Sequence, residues 1–162
     1  MTPTRASLLL RIKDLHDRDA WRDFHGLYAP LIYHYARKRG LRREDAEEVR
    51  DQCFEVITRH IGGFAYDRTK GGFKNWLRRI AENKALDLLR KRREPQADSQ
   101  VLRAALGRDP SPADVWEQQW SREHLRFCLE QIRGMVPADQ YEAFRMLLFD
   151  QSLLPTSRPV WG

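Results

Sequence analysis

The densest chemistry in the 162-residue chain is a run of cations between Gly72 and Arg93. Lys74, Arg78, Arg79, Lys84, Arg90, Lys91, Arg92 and Arg93 stand there against Glu82 and Asp87. Eight basic and two acidic side chains leave +6, which equals the formal net charge of the whole protein. The remaining sequence is close to neutral, so the attraction for a polyanion sits in one segment. At about 100° per residue, Trp76, Arg79, Asn83, Asp87 and Arg90 share one arc of a helix over this segment. Such an arc offers guanidinium groups to phosphates, and an amide and a carboxylate to base edges. Trp76 has two readings, stacking on an unpaired base or packing in the core beside Leu77 and Ile80. Asp87 also has a plain reading, an i,i+4 ion pair with Lys91.

The second cluster is acidic. Six carboxylates lie between Glu44 and Glu55, with Arg42, Arg43, Arg50 and Arg59 as the arginines from 42 to 59. Glu44, Glu48 and Asp51 line one side of a helix, where they suit a basic protein partner or a solvated face. Metal binding is not expected, because His60 lies beyond reach of that cluster. His16, His25, His34, His60 and His124 are scattered, and Cys53 and Cys128 are far apart with no zinc-type or disulfide spacing. There is no P-loop and no glycine-rich phosphate fingerprint, so neither an enzyme nor a cofactor is expected.

These clusters need elements to position them, and the periodicity supplies helices. Trp21, Phe24, Tyr28, Leu31 or Ile32, and Tyr35 recur at helical steps over Asp19 to Arg39. Pro30 predicts a kink there and Gly40 a stop. A second helix is expected from Glu44 to His60, with Ala46, Val49, Cys53, Val56 and Ile57 inward and carboxylates at its positive end. Gly62-Gly63 ends it, and a loop from Phe64 to Gly72 carries Phe64 and Tyr66. The basic helix, Phe73 to Arg93, turns Phe73, Leu77, Ile80, Ala81 and Leu88 inward. From Glu94 to Asp114, prolines and polar residues predict a flexible linker with one short turn around Leu102 to Leu106. Periodicity returns at Val115 with Trp116, Trp120, Leu125, Cys128, Leu129 and Ile132. A last helix, Ala138 to Phe149, carries Tyr141, Phe144 and Leu148.

No strand pattern occurs, so the expected fold is all-α. The 41% hydrophobic content suffices for a packed core. The N-terminal apolar run Leu8-Leu9-Leu10 is closed by Arg11, too short for a signal peptide or a membrane span. A soluble, cytoplasmic protein without membrane insertion is expected.

Two segments carry a family resemblance. Asp45-Ala46-Glu47-Glu48-Val49-Arg50-Asp51-Gln52-Cys53-Phe54 resembles the helix by which bacterial sigma factors grip core RNA polymerase. The segment from Phe73 to Arg90 fits F-x-x-W-L-x-x-I-A-x-N-x-A-x-D-x-x-R and is similar to the promoter-reading helix of the extracytoplasmic-function (ECF) group. The resemblance spans about residues 10 to 95, the family's region 2.

The resemblance implies a transcription initiation factor, a non-catalytic subunit that directs core RNA polymerase to promoters and assists −10 recognition and melting. Asp45, Glu48, Asp51 and Gln52 would meet the clamp coiled coil of the polymerase; the family usually has Gln at the position of Asp51. Phe64 and Tyr66 lie in the loop that would hold a flipped −10 base. Trp76, Asn83 and Asp87 would face DNA, with Lys74, Arg78, Arg79 and Arg90 on phosphates. An anti-sigma factor is a further implied partner. Val136-Pro137-Ala138-Asp139-Gln140-Tyr141-Glu142-Ala143-Phe144 resembles the start of region 4, which binds the −35 element. The segment from Ser152 to Gly162, with Pro155 and Pro159, does not look like the helix-turn-helix that should follow. The expected architecture is therefore a three-helix region 2 bundle (10–95), a linker (96–114) and a partial region 4 (115–162). The alternative is a helical DNA- or RNA-binding regulator independent of polymerase, against which the carboxylate-rich helix argues.

Overall fold

The computed structural model describes residues 5–65, 72–92 and 111–149. Among them there are helices and no strand: α1 (Arg5–Arg11), α2 (Arg18–Lys38), α3 (Arg43–His60), α4 (Gly72–Lys91), α5 (Pro112–Ile132) and α6 (Ala138–Phe149). A single 3-10 turn, Ile61–Gly63, follows α3. Two compact units divide the chain, one ending at Glu123 and the other beginning at His124.

Helix α2 begins at a side-chain cap. Asp17 accepts the Ala20 amide at 3.0 Å, and the Arg11 guanidinium donates to both oxygens of the same carboxylate at 3.0 Å. One carboxylate thus caps α2 and ties α1 to it. The helix runs unbroken through Pro30. It ends in a Schellman turn: Gly40 takes φ +98°, its amide donates to the Arg37 carbonyl, and the Leu41 amide donates to Ala36. That left-handed φ favours glycine, which accounts for the stop at Gly40.

Helices α2, α3 and α4 pack mutually into a three-helix bundle, with α1 against α2. Phe24 is fully buried at its centre, ringed by Tyr28 at 4.6 Å, Trp21 at 5.5 Å, Phe54 at 5.8 Å and Phe73 at 5.9 Å between centroids. Helix α3 turns Ala46, Val49, Cys53 and Ile57 inward, and α4 turns Phe73, Leu77, Ala81, Ala85 and Leu88 inward. The small Ala81 and Ala85 allow a close approach of α4 to its neighbours.

Two features of the packing go beyond the periodic pattern. Leu8, Leu9 and Ile12 are core residues on and just after a short helix, although the sequence pattern before Asp19 is too brief to show periodicity. The first half of α5 belongs to the first unit, which ends at Glu123. Trp116 packs edge-on to Tyr35 at 5.3 Å, and Trp120 meets Tyr28 at 5.7 Å and Phe73 at 6.5 Å. Two indoles bury enough apolar surface to hold that segment on the bundle.

In the second unit, Gly134 turns the chain at φ +88°, and the Arg133 guanidinium lies 5.9 Å from the Tyr141 ring. Helix α6 has no buried residue, and Phe144 is largely exposed. The expected turn at Leu102 to Leu106, Arg93, Tyr66 and the segment from Ser152, with Trp161, lie outside the described residues.

Candidate nucleic-acid and docking faces

Helix α4 has a core stripe and therefore an opposite stripe. Arg79, Asn83, Asp87 and Arg90 are exposed, and Trp76 is half-buried at the margin of that face. The arc expected from helical stepping is thus brought together on the outside of the bundle. Guanidinium groups at its two ends suit phosphates, and the Asn83 amide between them suits a base edge.

Trp76 resolves into neither of its two simple readings. Its ring lies 4.9 Å from Phe64 and 5.7 Å from Phe73, so it forms the outer edge of an aromatic cluster that continues from the core. Phe64 is fixed from behind, since Lys13 donates its ammonium to the Phe64 carbonyl at 2.8 Å. The loop that begins at Phe64 therefore starts from an anchored point next to the α4 face. Such a cluster presents aromatic surface on which an unpaired base can stack.

Lys74 and Arg78 lie on a flank of α4, away from that face. Lys74 pairs with Glu117 at 2.5 Å and sits 5.5 Å over the Trp120 ring. Arg78 faces Glu82 at 3.7 Å, one turn along. The resemblance implies phosphate contacts for both. Their carboxylate partners come from α5 in one case and from α4 itself in the other.

On α3, Glu48 and Asp51 are exposed and Gln52 is half-buried. Gln52 donates to Glu48 at 2.8 Å and Arg50 to Asp51 at 2.9 Å, so both carboxylates are oriented outward on a rigid helix. Asp45, which the resemblance implies as a further polymerase contact, differs from these two in its burial. It is 2% exposed, with Arg92 at 2.5 Å from one oxygen and Arg42 at 3.7 Å from the other. Residue 45 lies one turn before Val49, which puts it on the buried stripe. That spacing was legible in the sequence, whereas the partner Arg92 was not.

Beside this pair, Gln52 and Glu55 of α3 and Lys84, Asp87, Leu88, Arg90 and Lys91 of α4 line an open groove. Beneath it the Cys53 thiol is buried, and burial pushes its pKa up to about 12 although Lys84 opposes the shift. Cys53 is therefore a core residue without nucleophilic character. Burial likewise raises the Tyr35 phenol above its ordinary value.

Comparison with known proteins gives two matches. The family model for sigma-70 region 2 matches residues 25–94, which contain α3, α4 and most of α2. A curated relative, the ECF RNA polymerase sigma factor RpoE of Cereibacter sphaeroides, is 26% identical over 119 residues. The match covers 74% of this chain and 64% of that relative's length. No solved structure matches the chain. Residues 25–94 are thus similar to sigma-70 region 2, and the chain is similar over 119 residues to this ECF sigma factor.

Proposed function

We propose that the chain acts in transcription initiation, docking on core RNA polymerase through α3 and reading the −10 element with α4 and the loop after Phe64. One observation carries this reading: a single bundle presents the carboxylates Glu48 and Asp51 on α3 and the Arg79–Asn83–Arg90 face on α4. The first surface suits a basic protein partner and the second suits DNA. On this reading the chain catalyses nothing itself. Its loop aromatics and Trp76 offset the cost of unstacking a −10 base, which is about a few kcal/mol. Among the described residues no helix is long and apolar enough to cross a membrane, and the protein would work where the polymerase works.

The test is reconstitution with core polymerase. The chain should copurify with core enzyme and confer binding to a −10-like single strand that core alone lacks. Sequence-tolerant DNA or RNA binding without any core binding would favour the polymerase-independent regulator instead.

A further inference from the structure

The Asp45–Arg92 pair belongs neither to the docking face nor to the reading face. It joins the first turn of α3 to the residue that follows α4. The two helices run antiparallel here, since Cys53 also lies within the field of Lys84, two turns back along α4 from Arg92. A carboxylate this deeply buried needs a charged partner, because water cannot solvate it. Arg42 stands at 3.7 Å and Arg92 at 2.5 Å, so Arg92 is the nearer charge, held as an ion pair by proximity and not by an aligned hydrogen bond. The Arg92 amide donates to the Leu88 carbonyl, which keeps residue 92 on the helical ladder of α4. Its side chain is 44% exposed and reaches inward to Asp45. Next to the pair, the groove leaves the basic end of α4 with open space on its α3 side.

We infer that Asp45 and Arg92 are positioning residues that clamp the basic end of α4 to the start of α3, so that docking through α3 also sets where Arg90 and the reading face lie. The inference rests on the proposed roles of α3 and α4. Asp45 acts on promoter recognition through Arg92 and touches neither polymerase nor DNA. Arg92 spends its charge inward, on Asp45, and not on a phosphate.

The experiment uses Asp45→Asn, Arg92→Met and Arg92→Lys in the full chain, reconstituted with core polymerase. Core affinity should stay within about twofold of wild type for all three. Open-complex formation should fall at least tenfold for both Asp45→Asn and Arg92→Met, with substantial recovery in Arg92→Lys. The double variant Asp45→Asn/Arg92→Met should be no worse than the weaker single variant, because the two groups act as one unit. Amide hydrogen exchange on the free chain reads the clamp separately. Both single variants should speed exchange together in the last turn of α4 and the first turn of α3. A tenfold loss of core affinity in Asp45→Asn would make Asp45 a docking contact and overturn the inference. A promoter defect confined to Arg92→Met would make Arg92 a phosphate contact, with the same consequence. Wild-type chain that fails to bind core polymerase would overturn the proposed function, and hydrogen exchange would still decide the clamp.

Discussion

The Lys74 ammonium meets the Glu117 carboxylate at 2.5 Å across 43 residues of chain, while the same ammonium lies 5.5 Å from the Trp120 ring. The Lys74 charge in the first turn of α4 is thus already paired by α5. Replacing Arg79 or Arg90 by Ala should lower the log–log salt slope of promoter binding by about one each. Lys74→Ala should leave that slope nearly unchanged, because its charge is spent inside the protein. Filter binding or anisotropy titrations between low and moderate salt would measure all three. A slope change for Lys74→Ala equal to that of Arg79→Ala would mean that the pair opens on DNA.

Charge reversal at Glu48 and Asp51 addresses docking. Both side chains are exposed, so Glu48→Lys/Asp51→Lys should keep the helical circular dichroism and weaken core polymerase binding tenfold or more, about 1.4 kcal/mol. Asp45→Lys should instead unfold the start of α3, since it places a cation at a buried site facing Arg92 and Arg42. Wild-type core affinity in the exposed double variant would remove this face from the interface.

Base reading predicts a different signature. Asn83→Ala should relax preference at one −10 position at a cost of about 1–3 kcal/mol, while other positions keep theirs. Equal weakening on every sequence would show that Asn83 reads no base.

Much of this was legible in the sequence, and what was not has a physical cause. Helical periodicity located α2, α3 and α4 within a few residues, and the Arg79–Asn83–Arg90 arc came directly from angular stepping. Gly40 announced the end of α2 because a left-handed turn favours glycine. Partner choice was the missing information. Arg78 and Glu82 share an i,i+4 spacing that the sequence shows, whereas the Glu117 partner of Lys74 lies on another helix. The Arg92 partner of Asp45 lies 47 residues away, at the end of α4. Sequence spacing records which face a residue shares, but a contact across 43 or more residues depends on how the helices meet. The same holds for α5, since nothing local says where Trp116 and Trp120 will be buried.

Trp116 gives a stability test of that placement. It is fully buried against Tyr35 and Trp120, so Trp116→Ala should cost about 3–5 kcal/mol in urea unfolding. Phe144→Ala, at a largely exposed position, should stay within about 0.5 kcal/mol of wild type. A small effect at Trp116 would detach α5 from the bundle.

Acid and thiol chemistry probe two further sites. The Arg11 guanidinium, and after it the Ala20 amide, hold the Asp17 carboxyl below its ordinary value of 3.8. Its stabilisation is complete above that value and is lost as pH falls through the lower folded pKa. Asp17→Asn should therefore flatten the acid-unfolding curve below about pH 4 without changing its neutral plateau shape. In the native state at neutral pH, an aromatic disulfide reagent should label exposed Cys128 quickly and Cys53 only on unfolding. Fast labelling of both thiols would show that the groove admits reagent to the core.

The two stripes of α4 share no residue. Phe73, Leu77, Ala81, Ala85 and Leu88 hold the helix in the bundle, whereas Arg79, Asn83 and Arg90 have no part in that packing. Substitutions on the outer stripe leave the core volume untouched, so helix-compatible variation there carries only a small folding cost. A helix of this kind lets target preference drift or be re-engineered one side chain at a time, on a scaffold that stays constant. A small regulatory protein built this way can diversify its target set by duplication and surface change alone.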